Sequence, residues 1–108
     1  MNEEPPKATD YVAEWIDLHR NEIGGTQIKL FRQEQYGRTL CAEFETIQHV
    51  IQFSAWDHAS CLDILALNKA TEADAYNVAG ECNGIAGLTQ RLDTFLLWLK
   101  INEPNRDA

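Results

Sequence analysis

The chain has 108 residues, 44% of them hydrophobic, and its 17 acidic and 9 basic side chains leave a formal charge of −8. That length suits one domain able to bury roughly 65% of the surface its unfolded chain exposes, and no apolar run approaches the roughly 20 residues that a membrane-spanning helix needs. An acidic field of this size repels phosphate, so nucleic acid and anionic lipid are disfavoured as partners.

The charge is unevenly spread. Residues 1–22 carry six acids and two bases, residues 23–42 one acid and three bases, residues 43–81 seven acids against Lys69 alone, and residues 82–108 three of each. The middle of the chain therefore holds −6 of the net −8. Such a surface draws in basic proteins at electrostatically enhanced rates; alternatively, the acids serve solubility alone. Cys41, Cys61 and Cys82 are an odd number without close spacing, and "MNEEPPKATD" contains no apolar segment resembling a signal peptide. Together these predict reduced thiols and a cytoplasmic protein.

One domain, residues 1–108, is expected, with its ordered core over about residues 9–103 between polar tails. After Pro5 and Pro6, Thr9 or Asp10 is placed to cap a helix whose residues Val12, Trp15, Ile16, His19 and Ile23 recur at steps of three or four. Gly24-Gly25 is its predicted stop. The stretch "TQIKLFRQEQYGRTLCAEFE" then alternates Ile28 and Leu30 and, beyond a turn at Tyr36-Gly37, Leu40, Ala42 and Phe44, the period of a half-buried hairpin. "HVIQFSAW" and "CLDILALN" read as a third and a fourth strand, and "AYNVAGEC" as a fifth after the polar loop "KATEAD". Asn83 precedes a long helix in which Ile85, Leu88, Leu92, Phe95 and Leu99 form one stripe and which Pro104 must end. The order helix, four or five antiparallel strands, helix predicts an α+β two-layer domain.

The corner between the third and fourth strands contains Asp57, His58 and Ser60. An acid, an imidazole and a hydroxyl are the groups of a hydrolytic relay, but a relay needs them in sequential contact, which usually joins residues distant in sequence. In a short hairpin loop the same residue types serve local side-chain to backbone bonds, so a turn is expected and no catalytic residue is assigned. His58 and Cys61 form one pair of ligand types, while Cys41, Cys82 and His49 supply no second pair at recognisable spacing, so no metal is expected. His19 is read as a residue at the core boundary. "GECNGIAG" lacks the lysine of a phosphate-binding loop and any dinucleotide fingerprint, and no cofactor is expected.

Recognition of a protein remains. Trp56 sits beside Asp57 with Asp63 nearby, an amphipathic aromatic within an acidic rim, although a large aromatic at the end of a strand also serves as ordinary core. Leu97, Trp98 and Ile101 lie outside the main stripe of the last helix, to be covered by the first helix or by a partner.

The helix "YVAEWIDLHRN", the hairpin "FSAWDHASCLDILALNKATEADAY" with a tryptophan just before its turn, and the final helix "GLTQRLDTFLLWLK" resemble, over most of the chain, small bacterial immunity proteins. The resemblance is closest to the TriTu family, whose members are encoded beside Rhs polymorphic toxins and neutralise a toxin domain that looks like an ADP-ribosyltransferase acting on elongation factor Tu. It implies a cytoplasmic inhibitor rather than an enzyme, forming a one-to-one complex with a toxin domain that presents a basic surface. An ADP-ribosyltransferase must hold the pyrophosphate of NAD with basic groups, so carboxylates can take the place of phosphates and occlude that site. Glu43, Glu45, Asp57, Asp63, Glu72 and Asp74 are the candidate carboxylates and Trp56 the candidate anchor, with Glu43 and Glu45 expected on one strand face. A small acidic secretion chaperone is the alternative, distinguished by being a dimer.

Overall fold

The computed structural model describes residues 7–23, 29–33, 39–57 and 60–102. Helix α1 (Ala8–Leu18) and a single turn α2 (Arg20–Ile23) are followed by strands β1 (Lys29–Gln33), β2 (Thr39–Glu45), β3 (His49–Trp56), β4 (Cys61–Asn68) and β5 (Asp74–Val78), and helix α3 (Gly84–Asn102) closes the order. The strands form one five-stranded antiparallel sheet in sequence order, a meander. The α+β two-layer architecture expected from the sequence is the one observed. The predicted segments of β3 and β4 coincide with the strands, whereas the stops and turns placed at Pro5-Pro6, Gly24-Gly25, Tyr36-Gly37 and Pro104, and the apolar position Ile28, lie outside the described residues.

Strand alternation decides which side chains are covered. Leu40, Ala42 and Phe44 on β2, Ile51, Phe53 and Ala55 on β3, and Leu62, Ile64 and Ala66 on β4 are all buried and share one face, because side chains in a strand alternate with period two. Both long helices lie on that face. Phe53 joins the layers at its centre: its ring meets Trp15 of α1 at 6.2 Å, Phe44 at 5.6 Å and Phe95 of α3 at 5.2 Å between centroids, the latter two as edge-to-face contacts favoured by the ring quadrupoles.

The helices also bind each other. The Tyr11 hydroxyl hydrogen-bonds that of Thr89, Trp15 Nε1 donates to Asp93 Oδ1 at 3.3 Å, and Lys100 pairs with Glu22 at 3.0 Å. All three pairs are separated by the same 78 positions in sequence, which requires α1–α2 and α3 to run parallel. Their N-termini thus share one end of the molecule. Arg91 ties α3 to the sheet at that end: its Nη1 donates to the carbonyls of Leu62 at 2.8 Å and of Gly80 at 2.9 Å. Gly80 adopts φ +105°, a conformation glycine takes without steric cost.

Two local expectations are corrected. The first helix begins earlier than Thr9 or Asp10: Lys7 occupies the N-cap position without a side-chain cap, and Thr9 is a buried residue of the first turn. The amphipathic stripe is also broken at His19, whose φ of −108° ends α1. The His19 ring stacks on Trp15 at 4.3 Å, and its Nδ1 lies 2.8 Å from the Trp15 carbonyl, so His19 does sit at the core boundary. The off-stripe residues of α3 divide. Trp98 packs against His49, Tyr76 and Phe95, with ring centroids 5.0, 5.0 and 5.9 Å away, and extends the core to the edge strand. Leu97 and Ile101 are 62% and 67% exposed.

Candidate protein-binding face

The corner of Asp57 and Ser60 is a junction of the fold. Asp57 Oδ1 accepts hydrogen bonds from both the backbone N–H and the hydroxyl of Thr9, each at 2.9 Å. A carboxylate 48 residues distant in sequence thereby satisfies an otherwise unbonded amide of the first turn of α1, and it lies at the positive end of the helix dipole. Ser60 closes the turn by donating its N–H to the Asp57 carbonyl at 3.2 Å, in a left-handed conformation with φ +50°. Its own carbonyl accepts from Cys82 N at 3.1 Å, two residues before α3 begins. The corner therefore positions the starts of both helices, and the Asp57 carboxylate assigned to a partner from sequence is engaged within the fold. His58 lies outside the described residues.

The opposite face of the sheet is open. It presents Cys41, Glu43 and Glu45 from β2, Gln52 from β3 and Asn77 from β5 as exposed side chains, with Val50, Ser54, Trp56, Cys61, Asp63, Leu65 and Leu67 half-buried among them. Trp56 points away from the helices, so it is not core of the two-layer interior. The register sets Glu45, Val50 and Leu67 in one row, Glu43, Gln52 and Leu65 in the next, then Cys41, Ser54 and Asp63, then Thr39, Trp56 and Cys61. Rows are separated by about 7 Å and strands by about 4.8 Å. Glu43, Glu45, Asp63 and Trp56 are thus brought onto one surface, with an apolar strip of Val50, Leu65 and Leu67 between the acids. A shallow depression of about 200 Å³ lies there against Gln52, Ser54, Asp63, Leu65, Asn77 and Ala79.

The acids differ in what holds them. Glu45 meets the Lys69 ammonium at 3.6 Å, an exposed pair, which contributes at most about 1 kcal/mol. Asp63 Oδ1 accepts the Gly80 N–H at 3.0 Å and helps fasten the end of β5 to β4. Glu72 stands on the β4–β5 turn, and Asp74 opens β5 opposite Leu67, at the end of the row of Glu45, Val50 and Leu67. Glu72 has φ +61°, and Asp74 accepts from the Asn77 side chain at 3.4 Å.

Sequence reasoning missed the apolar strip, although its signal was present. In "CLDILALN" the buried Leu62, Ile64 and Ala66 alternate with Leu65 and Leu67 beyond Asp63, so β4 is apolar on both faces from Ile64 to Leu67. A strand apolar on both faces is the mark of one covered on both.

The three cysteines are free thiols, Cys41 exposed and Cys61 and Cys82 half-buried. Among the described residues no group of three or more His, Cys, Asp or Glu side chains is placed to hold a metal ion, and no helix is long and apolar enough to cross a membrane. No protein-family model and no curated protein matches this chain.

Proposed function

We propose that this protein is an immunity protein: a cytoplasmic inhibitor that docks the open face of its sheet on a toxin domain with a basic surface and blocks its NAD or substrate site. The observation that carries this reading is the open face itself, where Trp56, Val50, Leu65 and Leu67 are only half-buried within a rim of Glu43, Glu45 and Asp63. An apolar centre with a charged rim is the anatomy of a protein interface. From strand spacing and rise, the face projects on the order of 500 Å², less than the roughly 800 Å² per partner of a standard complex. Contacts beyond the strands must complete it, and Asp74 at the start of β5 with Glu72 on the adjoining turn extends the acidic rim in one direction. The resemblance to the TriTu family makes an Rhs-associated ADP-ribosyltransferase acting on elongation factor Tu the proposed target.

Co-expression with the toxin domain encoded beside this chain tests the reading. The wild-type chain should restore growth, and Glu43→Lys with Glu45→Lys should lose protection while keeping its circular dichroism spectrum. Full protection by the folded double variant would remove the open face from the mechanism. A second reading, a dimeric secretion chaperone, is favoured by the exposure of Leu97 and Ile101 on α3; the mass of the isolated protein in solution separates the two, since the inhibitor should be a monomer.

A further inference from the structure

Beside the open face, the sheet ends in an edge strand, β5. Among the described residues nothing pairs with its outer side. The register identifies the backbone groups it leaves available. Ser60 accepts from Cys82 and Leu62 donates to Gly80, and the same ladder continues through Ile64 opposite Val78 and Ala66 opposite Tyr76. In an antiparallel ladder alternate residues direct their N–H and C=O to opposite sides, so the backbone groups of Asn77 and Ala79 face outward. The register shifts between Ala66 and Leu67, a bulge that ends the regular ladder at Tyr76. Both outward side chains are small, and beyond the bulge the edge carries no lysine or proline of the kind that blunts edge strands. The other edge strand, β1, contains Lys29 and Arg32 in its five residues.

Beside this edge runs a groove of about 330 Å³ between β5 and α3, bordered by Tyr76, Val78, Cys82, Gly87, Arg91 and Thr94. A strand added to β5 would lie along it, and its residues opposite Tyr76 and Val78 would direct their side chains to the α3 side. The ends of the edge are acidic, with Glu72 and Asp74 at one and Glu81 at the other. Asp74 and Glu81 are separated by about 23 Å at an extended rise per residue. An unpaired backbone edge beside a groove is what strand addition by an extended peptide uses, and acidic ends favour a basic one.

We propose that β5 binds an extended, basic segment of a partner protein as a sixth strand, with alternate side chains in the β5–α3 groove and basic residues at both ends meeting Asp74 and Glu81. A second copy of the chain fits less well: antiparallel pairing centred on Asn77 would bring Asp74 of one copy beside Gly80 and Glu81 of the other, like charge against like.

The test uses the intact protein and a synthetic peptide of about eight residues, acetylated and amidated, with lysine at both ends and alternating valine and threonine between. Binding followed by NMR should slow amide exchange at Asn77 and Ala79. N-methylation of every second peptide amide, on the side that faces β5, should weaken binding at least tenfold, since it removes backbone bonds without changing side chains. Asn77→Pro removes one outward N–H without touching the β4 ladder and should weaken binding likewise. Glu43→Lys with Glu45→Lys should change peptide affinity less than threefold, which separates this site from the open face. No binding at millimolar peptide, binding indifferent to N-methylation, or a concentration-dependent dimer that protects the same two amides without peptide would each overturn the proposal.

Discussion

The two faces of this sheet are built from the same strands, offset by one residue, and they present opposite surfaces, one covered and one open. On the helix-covered face the nine apolar side chains of β2, β3 and β4 from Leu40 to Ala66 are at most 2% exposed, and His49 beside them is 3% exposed. On the open face the intervening positions mix acids, amides, thiols and half-buried aliphatics. On the function proposed above, stability and recognition are carried by alternate residues, and a change on one face should be largely silent in the assay that reads the other.

The covered face should be the most sensitive. Phe53 is 1% exposed and its ring contacts side chains from both helices and from β2. Phe53→Ala should cost about 3–5 kcal/mol, a large part of the roughly 5–15 kcal/mol total for a domain of this kind. Urea denaturation followed by circular dichroism should show the midpoint collapse. A loss below about 1 kcal/mol would mean that the two layers are not joined at Phe53.

The corner sits between the two faces and should give an intermediate effect. Asp57→Ala leaves the Thr9 amide and hydroxyl at the start of α1 without their acceptor, at a cost of about 1–2 kcal/mol. Asp57→Asn keeps an oxygen acceptor and should recover much of the loss. If Asp57→Ala instead abolished toxin neutralisation with unchanged stability, the carboxylate would belong to the interface after all.

This corner also shows where sequence reading ends. Local periodicity located β3, β4 and the α3 stripe, because alternation and the helical repeat are properties of neighbouring residues. The cap of α1 could not be read that way: its donor and acceptor are 48 positions apart, and Thr9, a residue type suited to capping its own helix, receives the cap instead. Trp98 was legible only as an off-stripe residue, since the ring that covers it, Tyr76, belongs to a strand whose register sequence does not state. Of the candidate carboxylates, Glu43 and Glu45 were correctly placed together by alternation alone, while the engagement of Asp57 and Asp63 with the backbone depended on tertiary contacts.

The open face should be nearly silent in folding and loud in binding. Glu43→Lys with Glu45→Lys should alter stability by no more than about 0.5 kcal/mol per site, yet slow association with the toxin domain most at low salt, where screening is weakest. Reversing Glu3 and Glu4, which lie outside the described residues, should do much less. Surface plasmon resonance at two salt concentrations decides between them. Equal effects would reduce the acidic charge to a solubility device and erase the functional difference between the faces.

The smallest effect on folding belongs where the covered face meets solvent, at Tyr76 and Cys82. Burial pushes the Tyr76 hydroxyl above its ordinary value of 10.0, with Arg91 opposing, and burial pushes the Cys82 thiol above 9.0, with Arg91 opposing and Cys61 adding to the rise. Both groups are neutral when protonated, and both hold their protons more tightly folded than unfolded. Below about pH 8 each is protonated in both states, and the stability they contribute is fully present. As pH climbs past 9 the unfolded chain releases these protons first, so it binds fewer than the folded chain and stability falls with pH. The urea midpoint should therefore be level from neutral pH to about 8 and decline above 9, and Cys82→Ser should remove the earlier part of the decline. At pH 8 iodoacetamide should modify exposed Cys41 on the open face well before Cys82. A midpoint that rises through pH 9, or Cys82 as the fastest thiol to react, would show that the edge of the covered face is wetter than its packing against Arg91 and α3 implies.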